Sequence, residues 1–162
     1  MASCAGAAIY RKKFIDRIGD FDEEHFAYLE DIDVGYRARI FGYENWYVPA
    51  ALVYHVGSGT SGSRYNQFKT RYSSRNNIYL IYKNMPVLQI IINLPFLVPG
   101  FGMKILFFCP EGNGQGVCGR NQKVGSRSVI EIKNVKFHMR NLGRYARIQL
   151  ELWWNIIYRF MV

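Results

Sequence analysis

Cysteine is scarce in this sequence, with three residues at irregular spacing and no Cys-x-x-Cys pair. Disulfide frameworks and zinc sites need paired or clustered cysteines, so neither kind of site is expected here. The first ten residues, MASCAGAAIY, also lack the charged region and the apolar core of a signal peptide. We therefore expect reduced thiols and a cytoplasmic location.

Recognised motifs for phosphate and nucleic acid are missing as well. Residues 110–125, PEGNGQGVCGRNQKVG, are rich in glycine, but they follow no predicted strand and do not match Gly-x-Gly-x-x-Gly. The chain carries a formal net charge of +9, yet it contains no recognised nucleic-acid-binding motif. We accordingly expect no nucleic-acid partner.

Acidic residues are few in the C-terminal part, which holds most of the positive excess. Residues 1–84 carry eleven Lys and Arg against nine Asp and Glu, whereas residues 110–162 carry nine against three. In residues 142–161, apolar side chains alternate with arginines, which predicts an amphipathic helix. Such a helix either binds the periphery of a membrane or packs on the protein, and the sequence leaves both possibilities open.

Seven of the twelve acidic residues lie in one segment, residues 19–43, GDFDEEHFAYLEDIDVGYRARIFGY. Apolar residues recur every four positions after Glu30 and Asp31, which predicts a helix that begins near Asp31 and ends at Gly42. The positive end of the helix dipole favours an ionised Asp31, which suits a general base acting on a substrate hydroxyl. The alternative is that these acids only cap the helix.

Three strings, FDE, FAYLEDIDVGYRAR and FGYENWYVPAALVYHVGSGTSG, resemble the acceptor-side half of family-2 glycosyltransferases, particularly the bacterial rhamnosyltransferase-like branch. In that family a Glu-Asp pair precedes an Asp, an aromatic residue and an Arg on one helix. The corresponding residues here are Glu30, Asp31, Asp33, Tyr36 and Arg37. The resemblance implies inverting transfer of a sugar from a nucleotide diphosphate sugar to a hydroxyl of a glycan or lipid-linked acceptor, in surface polysaccharide synthesis.

The same resemblance assigns roles to five residues. Asp31 would be the catalytic base with Glu30 as its catalytic partner, and Asp33 and Tyr28 would contact the acceptor. His55 would help to hold a divalent cation, Mn²⁺ or Mg²⁺, that neutralises the leaving diphosphate. A lone histidine in an apolar strand is otherwise most often a core residue, so this role depends on the resemblance.

The fold that the resemblance implies is α/β, the acceptor-side half of a GT-A fold followed by C-terminal helices. The nucleotide-binding half of that fold carries an Asp-x-Asp metal motif. Here Asp31 and Asp33 spell DID, but they belong to the acceptor-side motif. We therefore expect a C-terminal fragment that lacks the nucleotide-binding half and is inactive alone. The competing hypothesis is a noncatalytic module that associates with membranes and whose acidic residues are structural.

Three segments are predicted along the chain. Residues 1–84 would form the C-terminal half of the GT-A domain, residues 85–109 an apolar segment, and residues 110–162 a basic amphipathic tail. Within the first segment we predict strands at 5–10, 44–48 and 52–56 and helices at 11–18 and 65–84. Prolines interrupt the apolar segment, so we expect two short pieces, 87–94 and 103–109, in the membrane interface or packed on the protein.

Overall fold

The computed structural model of the chain describes residues 5–54, 67–108, 135 and 137–161. The α-helices in these ranges are α1 (Lys12–Ile18), α2 (Glu30–Ile40), α3 (Gln67–Asn84), α4 (Val87–Phe108) and α5 (Leu142–Met161). Short 3₁₀ turns occur at Ala5–Ala7, Glu23–His25 and Met139–Asn141. The described part of the chain is therefore helical.

The predicted α/β fold is wrong, because no strand is found in the described ranges. The segments 8–10, 44–48 and 51–54 are irregular, and their side chains Ile9, Trp46 and Tyr54 are 81–101% exposed. Their apolar composition suggested buried strands, but a strand needs a neighbour with which to form its hydrogen bonds. The described residues supply no such neighbour, so they do not form half of a GT-A fold, which requires a central sheet.

Helix α2 lies at the centre of the packing. One face meets α1 in a cluster of buried side chains: Phe14, Ile18, Val34 and Ala38. The opposite face meets α5 in a second cluster: Tyr36, Ile40, Tyr145 and Ile148. Of the two possibilities that the sequence leaves open for the C-terminal helix, packing on the protein is found for its first two turns, while Trp154, Ile157 and Tyr158 farther along are 52–65% exposed.

Helix α4 is continuous from Val87 to Phe108, so the predicted break into two pieces is wrong. Pro95 and Pro99 lie inside the helix, where each removes one backbone donor without ending it. In the described part of the chain, residues Val87–Leu106 are the one helical segment long and apolar enough to cross a membrane. Length and composition alone do not establish that it does so.

Glycines end α1 and α2 at the predicted positions, with φ of +86° at Gly19 and +83° at Gly42. The guanidinium of Arg144 lies against Gly42 and donates from Nη1 to the carbonyl oxygen of Ile40 at 3.2 Å. This contact joins the end of α2 to α5. The positive φ and the guanidinium together leave no room for a side chain at position 42.

Replacing Gly42 with alanine should lower the free energy of unfolding by roughly 1–3 kcal/mol. The new Cβ would lie 2.6 Å from Arg144 Nη2, so the guanidinium must move, and alanine disfavours the positive φ. Urea denaturation of the 162-residue chain measures the change in the free energy of unfolding. Gly143→Ala is the control, because no atom lies within 4 Å of the Cβ it would add. An equal loss of unfolding free energy in both variants would show that the positive φ and the Arg144 contact at Gly42 do not matter for stability.

Candidate functional site

The loop that leads into α2 has a strained backbone. Phe26, Tyr28 and Leu29 have φ of +53°, +69° and +70°, in a region that residues other than glycine seldom adopt. Such conformations cost of order 1–3 kcal/mol each and persist only where surrounding contacts hold them. Glu30 and Asp31 follow this loop directly in the sequence. Strain of this kind is typical of functional sites.

Asn76 of α3 holds this loop in place. Its amide Nδ2 is 2.7 Å from the carbonyl oxygen of His25 and 2.8 Å from those of Ala27 and Tyr28. The Asn76 side chain is fully buried, so its N–H groups have no competing contact with water. The two N–H hydrogens of one α3 side chain are therefore shared among three backbone acceptors of the strained loop.

Asn76→Asp should destabilise the protein by about 3 kcal/mol, because it places a buried carboxylate against three carbonyl oxygens. Asn77→Asp is the matched control, since Asn77 is only part-buried and bonds one carbonyl of its own helix, that of Ser73. Amide hydrogen exchange should quicken in residues 25–31 of the first variant and stay unchanged in the second. Unaltered exchange in Asn76→Asp would show that the loop does not depend on this amide.

The structure places the two candidate catalytic acids, Glu30 and Asp31, at the first two positions of α2. Both side chains are half-buried. Asp31 Oδ1 accepts a hydrogen bond from the backbone N–H of Ile32 at 2.8 Å, and Glu30 Oε2 is buried with no hydrogen-bond partner among the described residues. A buried carboxylate oxygen without a donor has capacity to receive one from a ligand. The geometry is compatible with the proposed base and partner, but does not test their roles.

The two candidate acceptor contacts have different surroundings. Tyr28 is half-buried two residues before Glu30, and its ring centroid lies 6.2 Å from that of Phe68 on α3. Asp33 is fully buried one turn into α2. Tyr28 is therefore brought together with Glu30 and Asp31, while Asp33 lies in the protein interior. Acceptor contact stays a prediction for both residues.

Asp33 is the centre of a buried ionic network. Its Oδ2 accepts from Arg37 Nε and from Lys83 Nζ, each at 2.9 Å, and its Oδ1 accepts from Asn84 Nδ2 at 2.7 Å. Lys83 Nζ also donates to Asp22 Oδ2 at 2.6 Å. The Lys83 ammonium thus bridges two carboxylates, that of Asp22 in the loop between α1 and α2 (the acidic loop) and that of Asp33 in α2.

The network changes the proton affinity of its members. Burial alone would raise the pKa of Asp33, but nearby His25, the Asn84 amide, Arg37 and Lys83 hold that pKa well below its usual range. Burial likewise opposes ionisation of Asp22, and the bonds from Lys83 and Tyr79 outweigh it, so the Asp22 pKa is lowered. Both carboxylates are therefore ionised at neutral pH.

Arg37 connects this network to the start of the acidic loop. Its Nη1 donates to the carbonyl oxygens of Ile18 and Gly19 at 2.7 and 3.0 Å, and its Nη2 donates to that of Asp20 at 2.8 Å. These carbonyls lie at and just beyond the end of α1 and have no helical partner. Arg37 therefore joins α1, the loop after it and α2.

Sequence reasoning missed the buried polar residues of the site. The sequence patterns assign no role to His25, yet it is fully buried, with Nε2 3.8 Å from Asp33 Oδ1. They assign none to Asn76 and Lys83 either, because polar residues on a predicted helix are usually solvated. The available signal was their spacing of seven residues, which places Asn76 and Lys83 on one helix face.

A cavity of about 660 Å³ borders the strained loop and lies between α3 and α4. Its lining combines apolar and ionic side chains: Glu23, Glu24, Phe26, Arg71, Tyr72, Ser74, Arg75, Ile78, Phe101, Lys104 and Ile105. The carboxylate of Glu24 pairs with Arg75 at 3.2 Å. The mixture of hydrocarbon and cations suits a ligand that has both an apolar and an anionic part.

The predicted metal site falls largely outside the described residues, because His55 lies there. Among the side chains that are described, no group of three or more His, Cys, Asp and Glu is arranged to hold a metal ion. Lys83 occupies the place between Asp22 and Asp33 where a cation would otherwise balance both charges. The described residues do not fit a metal by themselves, so Mn²⁺ or Mg²⁺ with His55 as ligand stays a prediction.

The sequence is similar in part to a curated enzyme, N-acetylglucosaminyl-diphospho-decaprenol L-rhamnosyltransferase, from two strains of Mycobacterium tuberculosis, CDC 1551 and H37Rv. Each match is 37% identical over 54 residues, which is 33% of this chain and 18% of the relative. The match thus spans about a fifth of the relative's length. No protein-family model matches the chain, and no solved structure matches it significantly.

Proposed function

We propose that the chain is part of an inverting family-2 glycosyltransferase, which transfers a sugar from a nucleotide diphosphate sugar to an acceptor hydroxyl in surface polysaccharide synthesis. The partial similarity to a rhamnosyltransferase supports a glycosyltransferase-related role coarsely. The observation that carries the finer proposal is the strained loop that presents Glu30 and Asp31 at the start of α2. Neither helix packing nor helix capping requires that three of four neighbouring loop residues have a positive φ.

In this proposal the oxygen of the acceptor hydroxyl attacks the anomeric carbon of the donor, and the bond from that carbon to the diphosphate oxygen breaks. The nucleoside diphosphate leaves with that electron pair, and the Asp31 carboxylate accepts the hydroxyl proton. The backbone N–H of Ile32 donates to Asp31 Oδ1 at 2.8 Å and so orients the carboxylate at the N-terminal end of α2. Glu30 Oε2, which has no hydrogen-bond partner among the described residues, accepts a hydrogen bond from a second hydroxyl of the acceptor and so orients the acceptor. Tyr28 lies beside the pair as a surface on which a sugar ring packs.

We further propose a lipid-linked acceptor and a location at the cytoplasmic face of a membrane. The cavity beside the loop supports this, since Arg71, Arg75 and Lys104 suit a diphosphate while Phe101 and Ile105 suit hydrocarbon. The name of the similar enzyme specifies a diphospho-decaprenol acceptor. Because the similarity covers a small share of that enzyme, we expect the 162-residue chain alone to transfer no sugar.

A transfer assay tests the proposal with the full-length protein, meaning the longer enzyme of which these 162 residues are proposed to form a part. The protein is incubated with labelled nucleotide diphosphate sugars, a rhamnose donor among them, and with N-acetylglucosaminyl-diphospho-polyprenol. We expect a labelled lipid product whose new linkage has the opposite anomeric configuration to the donor. Failure to label this or another glycan acceptor, by protein shown to be folded by circular dichroism, would refute the proposal. Retention of configuration would refute the inverting mechanism alone.

The second candidate function is a noncatalytic module that associates with membranes. The observation in its favour is the large exposed apolar surface of α4. In that case Asp22, Asp33 and Lys83 serve stability only, and substitution of Asp31 leaves every measured property of the protein unchanged. The two candidates therefore differ in the expected consequence of changing Asp31.

A further inference from the structure

The burial pattern of α4 is the reverse of that in water-soluble helices. Of its described side chains, the two that are buried are polar, Gln89 and Asn93, at 6% and 5% exposure. Large apolar side chains such as Leu88, Val98 and Met103 are 66–72% exposed. Water-soluble proteins bury the apolar face of a helix, whereas helices in lipid place small or polar residues against the protein.

Gln89 and Asn93 each form hydrogen bonds to other helices, and Gln89 Nε2 is buried without a partner among the described residues. Tyr36 Oη donates to Gln89 Oε1 at 2.8 Å, which joins α4 to α2. Asn93 and Gln149 exchange two amide hydrogen bonds of 2.8 and 2.9 Å, which join α4 to α5. These bonds fix the rotation of α4 about its axis, so its apolar sides cannot turn inward without leaving buried amides unsatisfied.

The less exposed side of α4 forms one stripe between residues 89 and 104: Gln89, Asn93, Leu97, Phe101 and Lys104. At the far end of the stripe, Lys104 Nζ is 3.4 Å from Ser73 Oγ of α3. Helix α4 is therefore bonded to the protein near both ends of the stripe, and Phe101 and Lys104 border the same cavity as Arg71 and Arg75 of α3. Standing across a bilayer, it would carry the Arg71 and Arg75 side chains of α3 toward the hydrocarbon, which is unfavourable.

Charge and composition favour a lipid surface over a second protein as the partner of the exposed side. The residues from Val87 to Met103 include no charged side chain, so about 26 Å of helix can enter a hydrocarbon layer. The chain as a whole carries a net charge of +9, and Arg147 on neighbouring α5 has a 73% exposed side chain. Positive charge attracts anionic headgroups and repels a second copy of the same chain.

We propose that α4 is an in-plane membrane helix: its stripe from Gln89 to Lys104 faces the protein, and its opposite side enters one leaflet of a bilayer that contains anionic lipid. The inference does not depend on sugar transfer, because it follows from the burial and bonding of α4. It locates the principal membrane contact in α4, one of the two segments for which the sequence leaves membrane contact open.

Flotation of the full-length protein with vesicles tests the proposal. We expect binding to vesicles of phosphatidylcholine with 30% phosphatidylglycerol, and weaker binding without the anionic lipid. Leu88→Glu and Val98→Glu should each weaken binding about tenfold, because each places a charge on the inserted side. Ile9→Glu is the control, since Ile9 is fully exposed outside α4 and should leave binding unchanged.

Depth measurements distinguish an in-plane helix from a spanning one. Cysteine is introduced singly at Leu88, Val98 or Leu106 after the three native cysteines are replaced by serine, and a fluorophore on it is quenched by lipids with shallow or deep nitroxides. Similar shallow depths at all three positions are expected. A deep Val98 between two shallow ends would overturn the orientation. If the protein self-associates so that Val98 is protected, and does not bind vesicles, the membrane proposal itself is wrong.

Discussion

Asp31→Asn in the full-length protein should lower kcat for sugar transfer by about 10²–10⁴-fold while donor affinity stays within a few-fold. Asparagine keeps the size of the side chain and still accepts from the N–H of Ile32, but it cannot take the proton of the acceptor hydroxyl. The loss should therefore appear in kcat and not in folding. Steady-state transfer rates and donor titrations measure the two quantities separately.

Asp16→Asn is the control for this substitution, because it makes the same chemical change on the exposed side of α1. Its transfer rate and stability should match those of the unaltered protein. Glu30→Gln should raise the KM for the acceptor more than it lowers kcat, since a positioning group binds ground state and transition state alike. Normal turnover by Asp31→Asn would remove Asp31 from the mechanism.

Asp33→Asn should lower the free energy of unfolding by about 3–5 kcal/mol, because it removes the charge that Arg37 and Lys83 share in the interior. This is a large share of the 5–15 kcal/mol typical of a folded domain. Denaturant titration measures the loss. Asp31→Asn, two residues away and half-buried, should change stability by less than about 1 kcal/mol, so the two variants separate catalysis from folding.

Acid titration gives an independent measure of the same network. The pKa of Asp33 is lowered by folding, so its contribution is complete above the unfolded pKa of about 3.9 and is lost as pH falls below that value. Stability of the unaltered protein should fall steeply in this acid range. Asp33→Asn should show a shallower fall, with Asp22 as the remaining contributor. Identical slopes would show that Asp33 is not ionically coupled.

Local patterns predicted the helices well and the sheet badly. The apolar period after Asp31 and the glycines at 19 and 42 describe interactions within one segment, so the ends of α1 and α2 were predictable. The predicted strands depended on distant partners, and the described residues contain none. The prolines of α4 suggested a break, but a helix can continue through a missing donor when other contacts hold it.

The buried residues of the site show the same limit. Glu30, Asp31 and Tyr28 are close in sequence, so their proximity required only a correct loop and helix. The contacts of Asp33 with Lys83 and of Asn76 with the loop join residues about fifty positions apart. A lysine and an asparagine on a helix are usually solvated, and only the completed packing shows that these two are buried.

The contact between Asp33 and Lys83 also constrains the order of events during synthesis. Asp33 leaves the ribosome fifty residues before Lys83, and until then its partners in its own segment are Arg37 and the nearby His25. Without Lys83, burial of the Asp33 carboxylate is less favourable, which opposes complete burial of α2. The central helix therefore cannot complete its packing before α3 arrives, and we expect α1, α2 and α3 to mature as one cooperative unit.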